Sequence, residues 1–285
     1  MNPSGFADAV IRSYIHAEQH RQKLTPSPIT TFDIKPSAQT QRRAKAHFEK
    51  VRRASVQYAI NLRKIARHVG DLINMFPAGD SELMPTLLDL LNRYANIIRP
   101  WASNAAAEMI ADVYRRDELA WFRSSEIIGR LLADEVRNAP TGELARQLHY
   151  DQVELITSLP IEAGERVQKL TTELMTGGRR YDEAIPMIMN SGNVTIARAT
   201  LIARTETAKA SSTLMEARAT HIGSPGYIWH SVRDFRVRKR HRELEGTYHE
   251  WTNPPVAEEN GERHHPGMFP NCRCYAEPII PDVIS

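Results

Sequence analysis

Two cysteines occur in the 285 residues, and they stand one residue apart in "HHPGMFPNCRCYAEP", shortly after His264 and His265. Two thiolates and an imidazole supply three of the four ligands of a tetrahedral zinc site. Cys272, Cys274, His241 and one of His264 and His265 are the donors such a site would draw on. A disulfide is a poor alternative, because a Cys-x-Cys bridge closes a strained ring. With no disulfide framework to build, the cysteines suit a reducing compartment. Clustered histidines beside Asp and Asn also raise a metal-dependent or histidine-based phosphodiesterase, in which a general base must sit beside the scissile group. The His–Asn spacing of a ββα-metal nuclease is missing, and a long loop separates His221 and His230 from 264–265. An ADP-ribosyltransferase reading of Arg204-Thr205-Glu206 is weaker still, since three consecutive side chains in mid-helix point along different faces. A structural clasp needs none of this chemistry. Asp234, Arg236, Arg238 and Glu206 can form charge-assisted pairs that pin a final strand and a long loop onto a helix. Cys272 and Cys274 would then face one side of that strand as small buried groups.

A second kind of chemistry is electrostatic. Residues 41–70 hold nine Lys or Arg against one acid, Glu49, although the whole chain carries a net charge of only +3. Arg42, Arg43, Lys45, Arg52, Arg53, Arg63, Lys64 and Arg67 offer a contact to nucleic acid or to an acidic protein surface. The plain alternative is a solvated cationic face.

The elements that position these residues are mostly helical. Residues 5–23 read as an amphipathic helix with Phe6, Val10, Tyr14 and Ile15 near one face. Pro26, Pro28 and Pro36 then impose an extended arm, which either lies across a neighbouring subunit or runs over the surface. In the next helix Phe48, Val51, Val56, Ile60, Ile65 and Val69 form a stripe, with Gly70 as its C-cap. A helix opening at Asp80 or Ser81 ends at Pro100, and Met109, Ile110, Val113, Tyr114, Leu119, Trp121 and Phe122 read as core in the one after it. Helices are expected over 142–158, 160–176 and 180–190, then one long helix from Gly192 to Gly223. From residue 224 the pattern changes. "SPGYIWHSV", "TYHEW" and "CRCYAEPII" read as strands, with a short helix between the first two that Gly246 stops. The fold class is therefore α+β: a helical region over 41–191, preceded by the helix and arm of 1–40, and a small α+β module over 192–285. A hydrophobic content of 41% and a charged content of 25% suit a globular chain. No stretch reaches the roughly 18 apolar residues of a membrane span, so no membrane partner is expected. The opening "MNPSGFADAV" lacks a basic and an apolar region, which predicts no secretory signal.

The C-terminal succession "IARTETAKA", Trp229, "DFRVRKRHRELEG", a proline-rich loop and "PNCRC" resembles the phage Mu F-like family, the head morphogenesis or minor head proteins of tailed bacteriophages. Arg204, Thr205, Glu206, Trp229, Asp234, Arg236, Arg238, His241, Leu244, Gly246, Pro266, Asn271, Cys272, Arg273 and Cys274 carry the likeness. The resemblance implies a structural, non-enzymatic protein of the virion, made in the host bacterial cytoplasm and held in the head interior or portal region. It implies the portal protein and other head proteins as partners, with packaged DNA contacted non-specifically, and a role in head morphogenesis, DNA packaging or retention, or ejection. Some relatives carry Cys-x-x-Cys where this chain has Arg238-Lys239-Arg240-His241. An arginine at a ligand position puts a fixed cation beside a metal, so the expectation is a clasp without a cofactor, ahead of zinc. The rival from another class is a metal- or histidine-dependent DNA-processing enzyme.

Overall fold

The computed structural model describes residues 38–128 and 139–280. The helix and proline-containing arm expected before residue 38 lie outside them. Helix α1, Ala38–Asn74, buries Val51, Tyr58, Leu62, Ile65, Val69 and Ile73, a three-four spacing that keeps one stripe inward. Val56 and Ile60 are off its phase and stand 54% and 42% exposed, which corrects their placement on that stripe. Gly70 is not a cap, since α1 continues past it. It marks a crossing: a Cβ there would come 3.0 Å from the Cα of Gly192, at the start of the last long helix.

Helices α2, Met84–Ile97, and α3, Arg99–Ile128, meet at Ile98. Upstream of α2, Asp80 Oδ1 accepts the backbone N–H groups of Glu82 and Leu83 at 2.9 and 3.2 Å. The break falls just before Pro100 and not at it, because proline in a first turn lacks only a donor that had no partner there. Helix α4, Thr141–Met175, runs unbroken through Pro160, where two segments were expected. An interior proline costs about 3 kcal/mol, and α4 offsets this by burying Ile156, Leu159, Pro160, Ala163 and Val167 around it. Helices α5, Tyr181–Met189, and α6, Ser191–His221, follow. Leu62, Val69, Leu87, Leu91, Val113, Ile156, Leu159, Ile202 and Leu214 make one continuous core among α1, α2, α3, α4 and α6.

The C-terminal sheet has β1, Gly226–His230, between β2, Tyr248–Glu250, and β3, Tyr275–Pro278, both antiparallel to it. Ile228 pairs with Tyr248 on one side and Glu277 on the other. A side chain at Gly226 would overlap the His249 carbonyl oxygen, so the β1–β2 pairing requires glycine there. Helix α7, Lys239–Glu243, lies between β1 and β2 in the chain. A second core forms from Met215, Ala219 and Ile222 at the end of α6 with Tyr227, Trp229, Trp251, Ala257, Cys272, Cys274 and Ala276. Helix α6 thus contributes to both cores. Cys272 and Cys274 precede β3 and do not lie on it, which corrects their expected place on a strand. Among the described residues no helix is long and apolar enough to cross a membrane.

Candidate functional site

The loop from Trp251 to Asn271 is fixed from several sides, and that fixing sets the cysteines. Gly246, at φ 77°, turns the chain out of α7, and its N–H donates to the Trp229 carbonyl at 2.8 Å. Ser212 on α6 donates to the Pro266 carbonyl at 2.9 Å. Asn271 adopts φ 56°, a left-handed conformation that Asn tolerates better than most residues. In that pose its N–H donates to Thr205 Oγ1 on α6 at 3.2 Å.

The result is a buried cluster. His241 Nδ1 lies 3.6 Å from Cys272 Sγ and 3.4 Å from Cys274 Sγ. His241, Cys272 and Cys274 are 2%, 7% and 4% exposed. On the far side of the ring, His241 Nε2 is 3.1 Å from Glu258 Oε1. The Gly267 N–H donates to Cys272 Sγ at 3.4 Å, and Trp229 meets the His241 ring edge-on at 5.3 Å. A hydrogen bond from Cys274, together with His241, holds the Cys272 thiol well below its ordinary range. Its partner Cys274 is pushed up by Cys272 and by burial. Burial opposes a charge on His241, but Cys272 and Glu258 outweigh it and raise its pKa.

The remaining sequence candidates divide around this cluster. His265 is not part of it: its Nδ1 is 3.0 Å from the Tyr227 hydroxyl and its Nε2 3.6 Å from Glu216. The neighbouring histidine is His264, 3.4 Å from Glu258 Oε1 with its ring 5.8 Å from that of His241. Asp234 pairs with both terminal guanidinium nitrogens of Arg273, one at 2.7 Å, which pulls its carboxyl below the usual range. Arg236 and Arg238 are not its ion-pair partners. Arg236 gives Asp234 only its backbone N–H, at 3.0 Å, and lays its guanidinium over Phe235. Arg238 covers Phe269, donates to the Pro270 carbonyl at 2.9 Å and stands 3.6 Å from Glu258 Oε2. Glu206 faces the helical region, accepting from Gln152 at 3.2 Å and pairing with Lys209 at 3.0 Å. Arg204 is exposed. At this turn of α6 the contact with the module is made by Thr205 between them, because successive helical positions are turned by about 100°.

Two ionic groups escaped sequence reasoning. Arg218 on α6 and Asp117 on α3 are fully buried and pair at 2.7 Å, with the guanidinium 4.8 Å above the Tyr114 ring. His47 on α1 stands 3.8 Å from Asp117 and 3.3 Å from Ser211 Oγ. Burial pushes the Asp117 carboxyl up to about 7 against the pull of Arg218. Burial, with Lys50 and Arg116 nearby, brings His47 down to about 4. The signal was present: Arg218 falls among Leu214, Met215 and Ala219, a charge at a core position of a helix. At the sheet, His230 bridges Glu277 at 2.7 Å and Glu245 at 3.3 Å, and Glu245 also takes Arg233 at 2.8 Å. Glu277 and Glu245 raise the His230 pKa, although burial works against it.

On α1, Arg42, Lys45, Arg52, Arg53, Lys64 and Arg67 are exposed, beside the exposed Val56 and Ile60. Arg43 is half-buried. Arg63 turns to α6 and donates to Thr200 at 3.0 Å, which removes it from the outward set. Arg52 pairs with Glu49 at 3.0 Å.

Residues 165–277 match the family model described as Phage Mu protein F like protein. The match covers the residues that carried the resemblance and reaches back into α4. A curated protein of Haemophilus influenzae, described as an uncharacterized protein, is 31% identical over 150 residues, which are 52% of this chain and 32% of that protein. The match thus spans about a third of that relative's length. No solved structure matches.

Proposed function

We propose that this protein is a minor head protein of a tailed bacteriophage, seated at the portal and acting in head morphogenesis, DNA packaging or retention, or ejection. The observation that carries the reading is the Mu F-like match over residues 165–277. Two features support it. The cations of α1, interleaved with Val56 and Ile60, suit a surface that meets packed phosphates or an acidic partner. The imidazole and thiols of the C-terminal cluster lie inside a core, where a phosphodiester has no approach. That burial favours a scaffold over a DNA-processing enzyme.

Mass spectrometry of purified virions, compared with particles emptied of DNA, tests the role. The protein is expected in filled heads at few copies, and its absence from virions would overturn the proposal. A nuclease assay on the purified chain is expected to show no cleavage. Removing residues 1–40 is expected to abolish incorporation into heads while leaving the C-terminal module folded. DNA binding by the α1 surface should fall steeply with salt, because neutralised phosphates release counterions. No binding at low salt would reserve that face for a protein partner.

A further inference from the structure

We propose that Cys272, Cys274 and His241 bind a zinc ion that fastens the approach to β3 onto α7. The geometry carries this. Zinc bonds of about 2.3 Å to sulfur and about 2.0 Å to nitrogen, opened to a tetrahedral angle, put nitrogen and sulfur about 3.5 Å apart. His241 Nδ1 stands 3.6 and 3.4 Å from the two sulfurs, and all three donor atoms lie within 4.8 Å of one another.

Without a metal, His241 Nδ1 faces both sulfurs at once. A neutral imidazole nitrogen offers one lone pair, and an imidazolium one N–H, so Nδ1 can satisfy only one of the two sulfurs. A cation placed among them takes a lone pair from each of the three. The surroundings fit the same assignment. Glu258, accepting from Nε2–H, leaves the Nδ1 lone pair on the sulfur side, the orientation that a carboxylate partner gives a metal-bound histidine. The Gly267 N–H at 3.4 Å from Cys272 Sγ would stabilise a metal-bound thiolate.

The objection raised by Arg238 disappears in space. Its guanidinium goes to Phe269, the Pro270 carbonyl and Glu258 Oε2, so the Glu258 carboxylate stands between this cation and the imidazole. A second donor group, His241, Glu258 and His264, is the weaker choice. Glu258 is already engaged by Arg238 and His241, and the set lacks sulfur, the softer ligand for zinc. Three protein ligands leave the fourth tetrahedral position to a small exogenous ligand such as water.

The test uses the full chain, purified without chelator and then dialysed against metal-free buffer. Elemental analysis is expected to find stoichiometric zinc. Replacing it with Co(II) should give tetrahedral cobalt absorption and a thiolate-to-cobalt charge-transfer band. Both should vanish in Cys272→Ser/Cys274→Ser, and EDTA should lower the melting temperature of the wild type but not of that variant. If the variant does not fold, the Co(II) spectrum of the wild type decides alone. A chain that holds no zinc, shows no charge-transfer band with Co(II) and melts identically with and without EDTA would overturn the proposal and leave a thiol–imidazole hydrogen-bonded clasp.

Discussion

Two buried polar clusters sit within one molecule and are built on opposite plans. In the helical region Asp117 and Arg218 meet at 2.7 Å with no solvent exposure, and each charge is the other's partner. In the C-terminal module His241, Cys272 and Cys274 are equally hidden, but all three offer electron pairs or weak donors toward one point. The first cluster joins opposite charges within the chain. The second has more sulfur than its imidazole can serve. Burial alone therefore says little about a site's purpose. The decisive question is whether the buried groups close on each other.

The sharpest way to break the comparison is to open the closed cluster. Above pH 7, where Asp117 is ionised, Arg218→Ala should cost about 3–5 kcal/mol, because it strands a buried carboxylate. Chemical denaturation would measure it, and a double variant Asp117→Leu/Arg218→Met should recover much of the loss. A variant as stable as the wild type would show that Asp117 is not ionised in the fold.

Acid sharpens the contrast next. His47 falls from an ordinary 6.5 to about 4, so between those values the unfolded chain binds the proton and the folded one does not. This imidazole therefore contributes stability that is full above pH 6.5 and lost as pH falls toward 4, on the order of 3 kcal/mol at 1.36 kcal/mol per pKa unit. Asp117 works in reverse. Its carboxyl is raised from 3.8 to about 7, so it costs stability as pH rises through that window. The wild type should be comparatively level from pH 4 to 6.5, whereas His47→Gln should lose stability as pH rises. Denaturation midpoints across this range would check the two slopes, and identical profiles would dissociate His47 from the ion pair.

The metal-free module should respond less. Cys272→Ser/Cys274→Ser in the presence of EDTA should cost on the order of 1 kcal/mol per group, as small buried groups do, measured by thermal melting. The smallest effect belongs to Asp234→Ala. Its pair with Arg273 is more than a third exposed on the Asp side, and solvent screening leaves such exposed ion pairs little net effect on stability. A loss larger than that of the double cysteine variant would restore Asp234 as a main tie of the module, the role that the sequence assigned to it.

The helices and strands were legible because each depends on local spacing: the burial stripe of α1, the turn at Gly246 and the aromatic, β-branched run of β1. Cys272, Cys274 and His241 stood out by type, and the structure brings them together across 31 and 33 residues. Arg218 and Asp117 did not, because their pairing spans 101 residues and no local pattern encodes which distant helix faces which. Glu206 failed differently. Its neighbour Thr205 points at the module, so a shift of one residue on a helix moved the expected contact to the wrong partner. His265 and His264 show the same sensitivity in a loop, where adjacent rings serve Tyr227 and Glu258 respectively.

Helix α6 runs unbroken for 31 residues, about 46 Å at 1.5 Å per residue, with its first part in one core and its last turns in the other. Mechanically it is a strut and not a tether. A load applied to the C-terminal sheet travels along its axis into the helical region without a hinge to absorb it. The two cores should yield to force together, in one rupture, and a displacement imposed on one end of the molecule should arrive at the other almost undiminished.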